Sequence, residues 1–191
     1  MGLEYTPAMD ELARLSPAAD AARSLEAELV EAARAGDRSA YGRLYDRFAP
    51  MVHGLLLARV PRADVDDLVQ DVFLQAMRRL AALRSPEAFG GWLAAIARNR
   101  ARDHWRRGEN TVELPADVAG APHPEGEALA VLVAIRRLPE AYRETLVLRL
   151  VEGMTGPEIA ERTGLTPGSV RVNLHRGMQL LREALGRKEL R

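Results

Sequence analysis

The chain has 191 residues, with 27 basic and 27 acidic side chains and no cysteine. That length holds one domain or two small ones, and the lack of Cys excludes a disulfide framework, a Cys-based zinc site and a thiol nucleophile. No basic start leads into an apolar run, and no stretch approaches the ~20 apolar residues that span a bilayer, so a cytoplasmic chain without membrane insertion is expected.

A net charge of zero argues against a nucleic-acid partner until its distribution is considered. Residues 1–83 carry 10 arginines against 13 acids, and residues 84–108 carry 6 against 2. Residues 109–130 hold 5 acids and no basic side chain, whereas residues 131–191 carry 11 basic side chains against 7 acids. Two basic segments are thus divided by an acidic one. Charges further apart than a Debye length of about 8–10 Å act locally, so each basic segment can meet phosphate on its own.

In chain order, residues 1–24 contain Pro7 and Pro17, lack sustained periodicity and read as a flexible or weakly helical extension. A helical pattern runs over 25–35, and Gly36 and Asp37 break it, with Asp37 placed to cap the next helix. Residues 40–60 repeat apolar side chains at helical spacing through Tyr41, Leu44, Phe48, Val52 and Leu55, with Pro50 as a kink point and Pro61 as the end. Over 63–80, Val65, Leu68, Val69, Val72, Ala76 and Leu80 form a buried stripe. Asp64, Asp67 and Asp71 lie opposite it, with Asp66 and Gln70 nearby. Acids early in a helix complement its dipole, which accounts for Asp64 to Asp67 but poorly for Asp71. One helical face does not surround a cation, so a docking face for a basic partner is the better reading and no metal is expected.

After a short turn at 85–87, residues 92–107 form the next helix. Trp92, Leu93 and Ile96 point to the core. Arg98, Arg102 and Arg106 recur every four residues as one basic stripe, with Arg107 at the end and Trp105 and Asn99 beside it. That stripe is either a solvated face or a surface for a nucleic-acid backbone, with an aromatic available for stacking. Residues 109–126, rich in Pro, Gly and acid, read as a linker. Helical patterns return over 127–138, 139–151, 155–163 and 167–185. No β pattern and no internal repeat appears. The fold class expected is all-α: two small helical domains (25–108 and 127–186) on a tether, with a tail at 187–191.

The last two helices carry the sharpest signal. Gly164 and Leu165 make a tight turn between them, Gly supplying the positive φ of a sharp helix exit. Thr166 is the N-cap of the second helix and Pro167 its first residue. Over 155–176 this is the spacing of a helix-turn-helix. Val170, Leu174, Gly177, Met178, Leu181 and Leu185 form its inner stripe. Arg171, His175, Gln179 and Arg182 form its outer row, with Arg176 alongside; Arg suits guanine and Gln adenine in a major groove.

Three ordered blocks, DDLVQDVFLQAM (66–77), WLAAIARNRARDHWRR (92–107) and LPEAYRETLVLRLVEGMTGPEIAERTGLTPGSVRVNLHR (138–176), resemble a bacterial sigma factor of the sigma-70 family. The two-domain layout is similar to the extracytoplasmic-function group, which keeps the second and fourth conserved regions. The resemblance implies a subunit that binds core RNA polymerase and directs promoter-specific initiation. It implies docking on the polymerase largest subunits through Asp66, Asp67, Leu68, Gln70, Asp71 and Phe73. It implies −10 contacts from Arg98, Asn99, Arg102, Arg106 and Arg107, a pocket for a flipped base at 83–91, and −35 contacts from Arg171, Val172, His175, Arg176 and Gln179. Polymerase core, promoter DNA and an anti-sigma factor are the implied partners, and the linker would thread toward the polymerase active-site channel. Residues 168–173, GSVRVN, depart from the family's Gly-Thr-Val-Lys/Arg-Ser-Arg: Asn173 drops a charge and Val172 a hydroxyl, so the −35 sequence does not carry over from a relative.

The alternative is a stand-alone helix-turn-helix regulator, for which the sequence offers no ligand pocket or phosphoacceptor pattern. An enzyme is not expected. His53, His104, His123 and His175 are scattered, and there is no phosphate loop, dinucleotide fingerprint or implied cofactor.

Overall fold

The computed structural model describes residues 17–108 and 124–186. They form eight α-helices, with no strand among the described residues: α1 (Pro17–Arg34), α2 (Arg38–Leu57), α3 (Val65–Arg79), α4 (Phe89–Gly108), α5 (Pro124–Arg136), α6 (Glu140–Leu150), α7 (Gly156–Thr163) and α8 (Pro167–Gly186). The all-α expectation holds. The linker lies outside the described residues except for 124–126, which α5 takes up, and so do the start of the extension and the tail.

Local chemistry sets the helix ends. Asp37 accepts hydrogen bonds from the amides of Ser39 (2.8 Å) and Ala40 (3.1 Å), satisfying two of the orphan donors that open α2. α2 then continues through Pro50 without a break. A 3-10 turn at Arg62–Asp64 leads into α3, so Asp64 lies before the helix rather than within it. α1 extends back to Pro17, well before the periodic segment read from the sequence.

The first domain is built around α2. Leu44, Phe48, Met51, Val52, Leu55 and Leu56 are fully buried against α1, α3 and α4. Phe48 meets Phe89 edge-on at 5.1 Å, which ties the middle of α2 to the start of α4. In the second domain Leu146 and Leu148 of α6, Ile159 of α7, and Val170 and Leu181 of α8 are buried, with Ile135 closing the core from α5. Burial of a Leu or Ile side chain contributes roughly 1.5–3 kcal/mol, so each small bundle is held by a few such residues.

The two domains are not held by the tether alone: α2 packs on α6 and α7, and α4 packs on α7.

Candidate nucleic-acid interface

The helix-turn-helix forms as its spacing predicts. Thr155 caps α7 in a capping box, its Oγ1 accepting from the Glu158 amide while the Glu158 carboxylate accepts from the Thr155 amide at 2.8 Å. Gly164 ends α7 at φ 74°, a left-handed conformation that other L-residues adopt only at a cost. Thr166 Oγ1 then accepts from the Ser169 amide at 3.1 Å and opens α8. Val170, Gly177 and Leu181 are buried and Leu174, Met178 and Leu185 half-buried, so the inner stripe is as read. Arg171, Val172, His175, Arg176, Gln179 and Arg182 are all exposed along the other side. The row faces solvent, and its Arg and Gln side chains are of the types that read base edges in a major groove.

The α4 stripe is different. Arg102 and Arg106 are exposed, Arg102 donating to the exposed Asn99 amide oxygen at 3.1 Å and Arg106 lying 3.7 Å from Asp103. Arg107 belongs to α4, but its side chain lies outside the described residues. Arg98 is engaged: its Nη2 and Nε donate to both oxygens of Glu144 on α6, at 2.6 and 3.2 Å. Glu144 also accepts from Arg59 at 2.7 Å. Its carboxylate is 7% exposed, and burial pushes its pKa up, but the Arg98 hydrogen bond and the two guanidinium charges outweigh that and hold it below the ordinary value. Trp105 donates its indole N–H to the Arg59 carbonyl at 2.8 Å and rests edge-on to His104, so it anchors α4 to the end of α2.

On α3, Asp66, Asp67 and Gln70 are exposed. Asp71 forms an ion pair with Arg100, which supplies the reason for an acid that the helix dipole does not explain. Leu68 and Phe73 do not belong to the outer face: both are buried, and Phe73 packs 4.5 Å from the Tyr45 ring. Their side chains fall on the inner stripe of the same helix, so they support the face from behind. The exposed apolar residues are instead Leu74 and Met77, each about half exposed. The segment between α3 and α4 is 80–88, displaced toward the N-terminus from 83–91, because α3 ends at Arg79 and Phe89, Gly90 and Gly91 already belong to α4. Arg34 of α1 donates to the carbonyls of Leu80 and Leu83 and so fixes how that segment leaves α3. No cluster of three metal-ligating side chains exists among the described residues.

Periodicity and motif do not single out Glu144, Arg59, Arg136 or Arg143. One signal in the sequence points to the first: Glu144 stands four residues before Leu148, hence on the buried side of α6.

A family model described as Sigma-70 region 2 matches residues 44–111, and one described as Sigma-70, region 4 matches residues 128–181. The chain is 33% identical over 182 residues to the ECF RNA polymerase sigma factor BldN of Streptomyces coelicolor, spanning 88% of this chain and 69% of that one. It is 35% identical over 171 residues to the RNA polymerase sigma factor CarQ of Myxococcus xanthus, spanning 84% and 98%. This chain belongs to the extracytoplasmic-function sigma factors of the sigma-70 family. The fold agrees: the structure of CnrH in complex with the cytosolic domain of CnrY superposes with a TM-score of 0.61 at 28% identity, covering 85% of this chain and 97% of that one. The sigma factor's two conserved regions coincide with the two helical bundles, region 2 with α2–α4 and region 4 with α5–α8.

Proposed function

We propose that three surfaces divide the work of this sigma factor. The outer face of α3, with Asp66, Asp67 and Gln70 and the apolar pair Leu74 and Met77, docks on the core polymerase; Asp71, beside it, is held by Arg100. Arg98, Asn99, Arg102, Arg106 and Arg107 of α4 hold the melted −10 strand, arginines meeting phosphates and the Asn amide a base edge. Arg171, Val172, His175, Arg176 and Gln179 of α8 enter the major groove of the −35 element, where a bidentate side chain to base pairing discriminates by about 1–3 kcal/mol.

The observation that carries this reading is the exposed row of α8, set on a capped helix-turn-helix whose inner stripe is taken up by packing. Charge supports it, since the two basic segments of the sequence fall on α4 and α5–α8, with α3 bearing the acidic face. Such a subunit works where the chromosome and polymerase are, in the cytoplasm. An anti-sigma protein is a further proposed partner, as the family resemblance implies; CnrH itself is seen in complex with the cytosolic domain of another protein, CnrY.

The test is initiation. Purified chain added to core polymerase is expected to start transcripts at a small set of sites on fragmented genomic DNA, with permanganate-reactive thymines at the −10 region. Initiation at no site would overturn the reading. Tight duplex binding by the chain alone, with no effect of polymerase, would favour a stand-alone regulator.

A further inference from the structure

The segment that joins α3 to α4 has its backbone held from outside. It runs as a 3-10 turn (Leu80–Ala82), extended residues at Leu83 and Ser85, and a second 3-10 turn (Pro86–Ala88). Turns this short leave carbonyls without helical partners. Two such carbonyls meet one side chain, Arg34 at the C-terminal end of α1: Nε donates to Leu80 O at 3.2 Å and Nη2 to Leu83 O. Nη1 donates to Glu31 Oε1 at 2.6 Å, one turn back on α1, so three nitrogens of one planar guanidinium are engaged. The charge stands where α1 and α3 both end, and the carbonyl dipoles of helix C-termini favour a cation.

Around this fork the segment is pinned at its edges and open in its middle. Leu80, Leu83 and Phe89 are buried, and α1 packs along both 3-10 turns. Arg84, Ser85 and Glu87 are exposed. Ser85 Oγ donates to Glu87 Oε2 at 2.6 Å; that bond first, and one from the Glu87 backbone amide second, hold the carboxyl below its ordinary pKa. An ionised carboxylate accepts and cannot donate, which suits it to an exocyclic amino group on a base edge. At Phe89 the segment enters α4, the helix proposed for the −10 strand. α1 lies before residues 44–111, the stretch matched as Sigma-70 region 2, so that match gives Arg34 no role.

We infer that Arg34 is a positioning residue for base selection: by clamping the carbonyls of Leu80 and Leu83, it holds the 80–88 segment in the shape that presents Ser85 and Glu87 to an unpaired base of the −10 strand. Buried leucines fix where the segment sits, but they do not fix the direction of its backbone. The guanidinium does, because its donors are coplanar and set at fixed angles. Without it the Glu87 carboxylate is no longer held within the roughly 0.5 Å that a binding geometry demands. A lysine keeps the charge at the helix ends but offers a point charge in place of the fork. The role in base selection rests on the proposed −10 function of this domain; the clamp itself does not.

Two measurements on the full chain separate the clamp from its consequence. The first is amide hydrogen exchange of peptides spanning 80–90, read by mass spectrometry without polymerase. The Leu83 and Ala88 amides donate to Leu80 O and Ser85 O, and in Arg34→Ala they are expected to exchange about tenfold faster, with α8 unchanged. The second is initiation by the chain with core polymerase on a promoter recovered from genomic DNA, each base being placed in turn at every −10 position. The unsubstituted chain is expected to prefer one base at one position by about tenfold or more. Arg34→Ala and Arg34→Lys should bring that ratio to within about threefold and leave the ratios at other −10 and −35 positions in place. Glu31→Gln, at an exposed position, loosens Arg34 without removing it and should lower the same ratio less; with Arg34→Lys it carries the test should Arg34→Ala fold poorly. A lower thermal midpoint with an unchanged base ratio would make Arg34 a structural residue only. That result, an equal loss at every −10 position, or unchanged exchange would each overturn the inference. Should the unsubstituted chain not initiate, the −10 reading falls and takes the base-selection role with it, while exchange still reports whether the clamp exists.

Discussion

α4 and α8 are both 20 residues long, both carry arginines on one side, and both are assigned to DNA, yet their charges stand in different states. The α8 row is exposed from Arg171 to Arg182, and the duplex proposed for it needs no preparation. The α4 stripe is divided: Arg102 and Arg106 face solvent, while Arg98 is tied to Glu144; Arg100, off the stripe, is tied to Asp71. A surface for duplex DNA can stand open because the polymerase supplies the second contact that makes binding specific. A surface proposed for single strands would bind any exposed strand through phosphates alone, and here one of its arginines is already held by a carboxylate.

The strongest way to break the comparison is to remove what both helices depend on. Asp66→Arg combined with Asp67→Arg reverses two exposed charges on α3. Co-purification with core polymerase and all initiation should be lost, with helix content and thermal midpoint unchanged. Retained association would move the docking face elsewhere.

Next in size is Arg171→Ala on the open helix. If the side chain reads a base, about 1–3 kcal/mol should be lost at one −35 position and little at the others. A uniform loss across a set of −35 variants, with a shallower salt dependence, would mean a phosphate contact only.

The two states of the α4 stripe separate in a stability measurement. Arg98→Ala deprives the buried Glu144 of one of its two arginines and should lower unfolding stability in urea by about 1–2 kcal/mol, discounted for partial exposure and for the Arg59 that remains. Arg102→Ala, on an exposed side chain, should stay within about 0.5 kcal/mol. Equal effects would remove the distinction between the engaged and open halves of the stripe.

How much of the molecule is legible in its sequence depends on distance along the chain. The helix-turn-helix is readable in detail because its signals are local: Thr166, Pro167 and Gly164 fix their own backbone, and the α8 stripe is a matter of spacing. The Asp37 cap is readable for the same reason. Leu68 and Phe73, which the resemblance groups with the docking residues, are buried in the chain, because a motif assigns a whole segment to a surface, whereas only one face of a helix reaches it. The engagement of Arg98 is not readable at all. Its partner lies 46 residues away across the linker, and although spacing puts Glu144 on the buried side of α6, nothing in either helix's periodicity tells which arginine it will meet once the bundles pack.

The smallest effect concerns pH and tests the contact from its rim. His53 on α2 is drawn above its ordinary pKa first by its hydrogen bond to Glu152; burial opposes the shift, the charges of Glu152 and Asp66 add to it, and Arg62 works against it. A histidine whose folded pKa is raised contributes stability that is complete below the unfolded value of about 6.5 and fades as pH rises through the folded value. Glu144 acts in the opposite sense. Its lowered pKa means that its contribution is complete above the ordinary carboxylate range and fades on acidification through the folded value. These two contacts should therefore contribute most to stability at mildly acidic pH, the contribution of His53 fading toward alkaline pH and that of Glu144 fading at low pH. The urea midpoint of the chain, followed against pH, reads this directly. His53→Gln keeps a polar side chain but cannot titrate, so it should flatten the alkaline limb and leave the acid limb in place. An alkaline limb that survives the substitution would assign it to another group and remove His53 from the interface energetics.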